Sequence, residues 1–265
     1  MKGIYTALIT PYTKSGKIDY ASLNYLLSLQ NNSAVTGVVL FGSTGEEKLI
    51  TPHEKLSILK AATKILKNKQ IYVGVNEFSI DSAKRAIKEL SVPQINGYLI
   101  SPPAYIKLSQ TEVINFYSQI ADCTDKDICI YNIPSRTGTM ISVETVLQLS
   151  KISNITAIKD ATGDLQYTKS LIKQLPTSFS MLCGNDNLYI DMKKLGCSGA
   201  VCVIGNLYPN LFCSQIESNK KLQQQYIPTI QYLSARANPA GIKFLLSKYL
   251  HTNNILRSPL LPQKD

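Results

Sequence analysis

The sequence predicts an α/β protein whose eight parallel strands close into a (β/α)8 TIM barrel with a short C-terminal helical appendage. Short runs rich in Ile, Val, Leu and Tyr alternate with longer amphipathic patterns along the 265 residues. The short runs are continuously apolar, which is typical of parallel strands buried on both faces. Eight such repeats in a chain of this length fit one closed barrel.

The strands are expected where the apolar runs end at turn-forming or polar residues. They are Ile4–Ile9, Gly37–Phe41, Ile71–Val75, Gly97–Ile100, Asp127–Tyr131, Ile155–Ile158, Phe179–Cys183 and Gly199–Val203. The alternative is an open doubly wound sheet, whose dinucleotide-binding form carries G-x-G-x-x-G after its first strand. Thr10-Pro11-Tyr12 follows the first strand here, which argues against that alternative.

Amphipathic helices are expected between the strands, and the clearest spans Pro52–Lys67. Thr51 is a suitable N-cap, Pro52 fits the first helical position, and Glu54 completes a capping box. The others are Asp19–Gln30, Ile80–Leu90, Gln110–Ala121, Val143–Leu149, Gln166–Leu175, Asn187–Leu195, Tyr208–Glu217, Lys220–Ala235 and Pro239–His251. The barrel domain is expected over residues 1–217 and the helical appendage over 218–265.

Composition excludes several classes of protein. Apolar residues make up 44% of the chain and charged residues 17%, enough for a sizeable core. No apolar run is long enough to span a membrane, and the N-terminus lacks a signal-peptide core, so a cytoplasmic protein without a membrane partner is expected. The net charge of +10 comes from lysines at helix-like spacing. Solvated helix faces explain these better than a nucleic-acid interface does.

Cysteine and histidine are poor candidates for the chemistry. The six cysteines form no CxxC pair, and a chain without a secretion signal favours free thiols. His53 and His251 are the only histidines, too few for a His-based zinc site or a well-placed Ser-His-Asp triad. No metal or cofactor is therefore expected, and the search turns to Lys, Tyr, Ser and Thr.

Lys159 follows a predicted strand directly, at the end where barrel enzymes carry their active sites. Burial disfavours a charged ammonium, and a neutral amine there can attack a carbonyl carbon. The alternative is a lysine that points out of the barrel and forms an ion pair with a carboxylate such as Asp160. Position alone does not choose between these interpretations.

Other polar groups also lie at the ends of predicted strands or in the loops that follow them. Tyr131 can relay protons, although a packing role at the rim is equally ordinary. Ser43 and Thr44 lie in a glycine-bracketed turn that can hold a carboxylate or simply join strand to helix. Arg136 can clamp a carboxylate or pair with a loop acid. Taken together, these groups indicate covalent amine catalysis on a carbonyl compound bearing carboxylates.

Five segments carry a resemblance to a known family. They are Ala7–Pro11 (ALITP), Gly42–Glu46 (GSTGE), Tyr131–Gly138 (YNIPSRTG), Ile158–Gly163 (IKDATG) and Gly184–Asp186 (GND). Through them the chain resembles the dihydrodipicolinate synthase / N-acetylneuraminate lyase family of class I aldolases, from about Gly3 to Pro262. The arginine of YNIPSRTG is similar to the synthase branch, whereas Ser43 is more typical of the sugar-acid aldolases.

The resemblance implies a homo-oligomer, commonly a tetramer, and a role for each site residue. Lys159 would form a Schiff base with pyruvate, and Tyr131 would donate and accept the proton. Ser43 would belong to the proton relay, with Tyr105 reaching in from a neighbouring subunit. Thr44 would bind the pyruvate carboxylate, and the backbone at Val201 would contact pyruvate. Arg136 would bind L-aspartate 4-semialdehyde, and Gly184 would also be a substrate-binding residue.

Three hypotheses follow for function. The first is condensation of pyruvate with L-aspartate 4-semialdehyde in lysine and diaminopimelate biosynthesis. The second is another pyruvate-dependent aldolase acting on N-acetylneuraminate or a 2-keto-3-deoxy sugar acid. The third, which the short C-terminal region favours, is an inactive barrel acting as a binding protein.

Some relatives bind lysine as a feedback inhibitor, and this chain is expected to be insensitive to it. The residues at the corresponding positions are Glu47, Lys48, Pro52, Lys55, Phe78 and Ser82. Lys48 and Lys55 would repel the ammonium group of the ligand.

Overall fold

The predicted barrel is present. The computed structural model describes residues 1–213 and 220–264, and its strands are hydrogen-bonded in chain order into a closed barrel. They are β1 (Gly3–Ala7), β2 (Gly37–Leu40), β3 (Gln70–Val75), β4 (Gly97–Ile100), β5 (Asp127–Asn132), β6 (Ile155–Asp160), β7 (Ser180–Cys183) and β8 (Gly199–Cys202). Each expected strand is therefore confirmed to within two residues at either end.

Helices lie between and after these strands, most of them where the sequence predicts. They are α1 (Tyr20–Asn31), α2 (Pro52–Ile65), α3 (Ile80–Leu90), α4 (Gln110–Ala121), α5 (Pro134–Thr137), α6 (Val143–Leu149), α7 (Leu165–Ile172), α8 (Tyr189–Lys194), α9 (Lys220–Ser234) and α10 (Ala240–Tyr249). The capping box of α2 is confirmed. The Glu54 N–H donates to Thr51 Oγ1, and the Thr51 N–H donates to the Glu54 carboxylate.

The helix predicted over Tyr208–Glu217 is wrong in its first part. Residues 209–213 form consecutive turns instead, and residues 214–217 lie outside the described residues. Pro209 disfavours the helical conformation of Tyr208 before it. The N–H groups of Leu211 and Cys213 donate to carbonyls only three residues earlier, those of Tyr208 and Asn210, as in turns. The expected domain boundary at residue 217 also lies outside the described residues.

Two compact units make up the chain. The first unit combines Met1–Gly3 with Tyr72–Val201 and contains β4 to β7. Parallel pairing places Tyr131 beside Lys159 and Asn132 beside Asp160 on the neighbouring strands β5 and β6. Both strands run one or two residues further than predicted, because this pairing continues to their last residues.

The second unit combines Ile4–Ile71 with the described residues from Cys202 onward. It contains β1 from Ile4, β2, α1, α2 and the C-terminal helices. Strand β1 stops at Ala7, two residues earlier than expected, and the Ile9 N–H donates to the Asn206 side chain at 3.0 Å. None of the helices in either unit's described residues has the length and apolar character needed to cross a membrane.

Candidate active site

A buried amine lies against a buried phenol in the first unit. The Lys159 side chain is only 6% exposed, and its Nζ lies 4.1 Å from the centroid of the Tyr131 ring. The two residues are direct partners in the β5–β6 register. Side chains alternate between the two faces of a strand, so paired residues point to the same side. The structure therefore brings together two of the predicted site residues.

Asp160 lies on the other face of the same strand. Its carboxylate accepts hydrogen bonds from the Thr168 hydroxyl at 2.9 Å and the Thr162 N–H at 3.0 Å. Among the described residues, no ion pair joins Asp160 to Lys159. The outward-pointing alternative for Lys159 is wrong, because the strand alternation separates the two side chains. Burial raises the pKa of Asp160, and its hydrogen bonds anchor the start of α7 instead.

The loop that carries Arg136 is held by Asn132, the last residue of β5. The Asn132 amide donates to the Tyr167 hydroxyl at 3.1 Å and to the Ile141 carbonyl at 3.3 Å. Its oxygen accepts from the Ile141 N–H at 3.2 Å. Arg136 itself lies on the single-turn helix α5 with an exposed side chain. The Arg136 guanidinium therefore lies at the solvent-exposed surface of a loop that Asn132 holds in place.

Buried thiols near the amine remain protonated. Burial raises the pKa of Cys129 to about 12, although Lys159 nearby acts to lower it. Burial likewise raises the pKa of Cys183, at the end of the neighbouring strand β7. Since only the thiolate is a strong nucleophile, these cysteines do not compete with an amine at neutral pH.

Gly184 follows β7 and lies directly against the lysine. A Cβ built at this position would be 3.0 Å from Lys159 Cε and 2.9 Å from both the Asp160 carbonyl oxygen and the Ala161 Cβ. Any larger residue would therefore displace a neighbour. Val201 lies in the buried strand β8 of the same unit. A contact of either residue with a substrate stays a prediction.

Tyr105 is not brought to the amine. Its ring is 97% exposed, and its backbone adopts the left-handed conformation with φ of 71° in the loop after β4. A large aromatic ring this exposed makes few contacts within its own chain. The expected contribution of Tyr105 to a neighbouring subunit's site stays a prediction.

Ser43 and Thr44 lie in a single turn of 3-10 helix within the second unit. Ser43 is half-buried, and Thr44 is only 3% exposed. Left-handed residues flank the turn on both sides, since Phe41 and Glu46 each have φ of 57°. This conformation costs a non-glycine residue roughly 1 kcal/mol or more, so surrounding contacts must hold it.

Sequence reasoning missed two residues that contact this turn. The Asn238 amide donates to Thr44 Oγ1 at 2.9 Å, and the Lys243 ammonium is ion-paired with Glu46. Lys243 is completely buried in α10. A signal for Lys243 was present, because it stands alone in the apolar run Ala240–Leu246. Asn238 left no comparable signal.

Within residues 1–213 and 220–264, no three His, Cys, Asp or Glu side chains converge as metal ligands do. The expectation that the reaction needs no cofactor stays a prediction. An amine and a phenol at this distance suit two chemical roles: the Lys159 amine can condense with a carbonyl compound, and the Tyr131 hydroxyl can transfer a proton.

A model of the dihydrodipicolinate synthetase family matches residues 1–265. The chain belongs to this family. It is 33% identical over 268 residues to the 4-hydroxy-tetrahydrodipicolinate synthase of Leptospira biflexa, covering 98% of this chain and 91% of the relative. It is also 32% identical to the synthase of Porphyromonas gingivalis, covering 100% of this chain and 93% of the relative. The resemblance drawn from the sequence is confirmed, and the family's enzymes are lyases.

Solved structures of the family share the fold. The 4-hydroxy-tetrahydrodipicolinate synthase of Methylacidiphilum fumariolicum SolV superposes with a TM-score of 0.94 at 32% identity, over 100% of this chain and 91% of that one. A structure described as the first monomeric dihydrodipicolinate synthase variant gives 0.95 at 25% identity, over 100% and 92%. The (β/α)8 barrel is therefore shared along the whole chain.

Proposed function

We propose that this chain is a Schiff-base synthase that condenses pyruvate with L-aspartate 4-semialdehyde to give 4-hydroxy-tetrahydrodipicolinate. The reaction serves lysine and diaminopimelate biosynthesis. The observation that carries the proposal is the nearly fully buried Lys159 amine, 4.1 Å from the centroid of the Tyr131 ring. Family membership supports the same substrates, since the curated relatives bear this enzyme's name.

The first half of the reaction activates pyruvate. The uncharged Lys159 amine attacks the pyruvate C2 carbonyl carbon, the Tyr131 phenol donates a proton to the departing hydroxyl group, and loss of water leaves a protonated imine and the Tyr131 phenolate. The imine nitrogen withdraws electrons, so a proton of the adjacent methyl group becomes acidic. Tyr131, as its phenolate, accepts that proton, which leaves an enamine. Thr44 donates a hydrogen bond to the pyruvate carboxylate, and Ser43 takes part in the proton relay.

The second half forms the product. The enamine carbon attacks the aldehyde carbon of aspartate semialdehyde, and the resulting alkoxide takes a proton through the relay. The substrate's amino group then attacks the imine carbon, closes the ring and releases the Lys159 amine. One water is lost overall. Arg136 binds the carboxylate of the second substrate with its paired guanidinium donors, as this planar group does for carboxylates.

A second candidate function is cleavage or synthesis of a sugar acid by the same imine chemistry. Ser43 favours it, because serine at this position is more typical of the sugar-acid aldolases. Arg136 weighs against it, because a basic residue there is similar to the synthase branch. The proposal therefore remains with aspartate semialdehyde.

Borohydride trapping tests the first half of the reaction. The purified chain is incubated with pyruvate and reduced with sodium borohydride, and the modified residue is located by peptide mass. We expect Lys159 to carry the pyruvate-derived group. The matched control is Lys126, whose Nζ donates to the Ile95 carbonyl at 3.0 Å and which should remain unmodified. A folded protein with unmodified Lys159 would contradict the proposal.

Arg136→Ala tests the second substrate. We expect kcat/KM for aspartate semialdehyde to fall by about a hundredfold, the order expected when one partner of a charged hydrogen-bonded pair is removed. Borohydride trapping with pyruvate should stay unchanged. Arg85, exposed on α3, supplies the control variant Arg85→Ala. Equal loss with both substrates would assign Arg136 to structure rather than to recognition.

Assembly and location complete the proposal. We expect a homo-oligomer, a tetramer or dimer, because the nearly fully exposed ring of Tyr105 fits a residue that a second copy covers. Light scattering of the purified chain measures its oligomeric state directly.

No nucleic acid and no membrane takes part in the proposed reaction. The cytoplasmic location expected from the sequence stays a prediction.

A further inference from the structure

The turn that carries Thr44 is held from the C-terminal part of the second unit. The Asn238 amide, just before α10, donates to Thr44 Oγ1 at 2.9 Å. Thr44 is nearly fully buried, and in this contact its hydroxyl oxygen is the acceptor. An oxygen that accepts from Asn238 directs its own proton elsewhere, and it can then donate to an anionic substrate group.

The end of the same turn is held by a buried ion pair. One oxygen of Glu46 contacts the Lys243 ammonium, and both side chains are fully buried. The other oxygen accepts a hydrogen bond from the backbone N–H of Arg257 at 3.0 Å. Lys243 also donates to the Ile255 carbonyl at 2.9 Å and lies 4.1 Å from the centroid of the Tyr12 ring. Glu46 is therefore held at both of its oxygens.

These contacts stabilise the strained backbone of the turn. Glu46 adopts a left-handed backbone, which a non-glycine residue leaves unless other contacts oppose it. The contacts that oppose it come from Lys243 and Arg257, residues about 200 positions away in the chain. Burying a charged group away from water costs free energy, and burial lowers the pKa of Lys243 to about 8. The ion pair with Glu46 offsets part of this cost.

We propose that Asn238 and Lys243 are positioning residues for the turn Gly42–Glu46, holding Thr44 so that its hydroxyl donates to the carboxylate of the keto-acid substrate. The inference rests on the proposed function for the identity of that carboxylate. Neither residue touches the substrate; Asn238 acts through Thr44, and Lys243 acts through Glu46.

Asn238→Asp tests the direction of the hydrogen bond. A carboxylate accepts the Thr44 proton instead of donating to its oxygen, so the hydroxyl no longer serves the substrate. We expect the pyruvate KM to rise roughly tenfold to a hundredfold, the loss of one hydrogen bond to a charged group, with a smaller change in kcat. Asn238→Ala, which leaves the hydroxyl free to rotate, should raise KM less. The control Asn254→Asp changes an amide that donates to the Gln263 carbonyl, and its KM should match the wild type.

Lys243→Met and Glu46→Gln test the ion pair, singly and together. Each single variant leaves a buried charge uncompensated and should lower the thermal midpoint, whereas the double variant should recover it. We expect the pyruvate KM of the double variant to remain raised about tenfold, because methionine has no donor and the charged contact that holds residue 46 is lost. A KM that returns to the wild-type value with the midpoint would overturn the positioning role, leaving the pair a purely structural one.

Hydrogen exchange gives a readout that needs no turnover. In the double variant we expect amides of residues 42–48 to exchange about tenfold faster than in the wild type, while those of α4 keep their protection. Unchanged exchange in residues 42–48 would overturn the inference whatever the kinetics show. A wild-type chain that fails to trap pyruvate yet shows the exchange effect would overturn the proposed function alone.

Discussion

Gly184→Ala is the substitution that most directly probes the surroundings of the lysine. The added methyl group would lie 2.9 Å from the Asp160 carbonyl oxygen, 2.9 Å from the Ala161 Cβ and 3.0 Å from Lys159 Cε. Ordinary contacts between carbon atoms are about 3.5 to 4.0 Å, so the overlaps amount to roughly 0.5 to 1 Å. Overpacking of this size costs about 1–3 kcal/mol.

The neighbours differ in how easily they move. The Asp160 carbonyl belongs to strand β6 and accepts the Gly184 N–H at 2.7 Å, so it yields little. The end of the lysine side chain is flexible and moves first. A reactive group displaced by about 1 Å can lose about a hundredfold in rate. We therefore expect the variant to fold, to melt several degrees lower, and to trap pyruvate about ten- to a hundredfold more slowly.

The assay is the rate of borohydride trapping at Lys159, measured beside circular dichroism and thermal unfolding. Gly163→Ala is the matched control. Gly163 has φ of 81°, so alanine strains its backbone, yet the nearest atom to the added Cβ is the Asn185 amide nitrogen at 3.9 Å. This control should lose stability and keep its trapping rate. A folded Gly184→Ala protein that traps pyruvate at the wild-type rate would refute the reasoning.

Two further predictions concern charges in the second unit. Free L-lysine at millimolar concentration should leave the activity unchanged, because the buried Glu47 carboxylate is already ion-paired with Lys55, and an added ammonium group would meet that cation. A dose-dependent loss of rate would show this wrong. The hydrogen bond from Arg257 lowers the pKa of the Glu54 carboxyl from 4.5 to about 2. The stabilisation is therefore complete above about pH 4.5 and is lost as the pH falls toward 2, since the unfolded chain takes up the proton first. At pH 6 the melting temperature of Glu54→Gln should lie below that of the wild type by the equivalent of about 1 kcal/mol, and the gap should close on acidification; a gap independent of pH would contradict this.

Part of the site could be predicted because the ends of buried strands are recognisable in the sequence. A side chain with a polar group at the last position of an apolar run, or directly after it, marks the end of a buried strand. Tyr131 and Lys159 were identified in this way. Which way Lys159 points was not readable, because a strand offers two faces and either was compatible with its neighbours. The register that pairs Lys159 with Tyr131 decided it, and Asp160 was left to the opposite face.

The sequence by itself determined the barrel, most of its helices and the residue types of the site, because these follow from local periodicity, capping and apolar content. Only the tertiary structure joined Asn238 to Thr44 across 194 positions and buried Lys243 against Glu46. It also replaced the helix expected at Tyr208 by turns. Contacts between distant segments depend on how the chain closes on itself, and no local pattern of side chains encodes that closure.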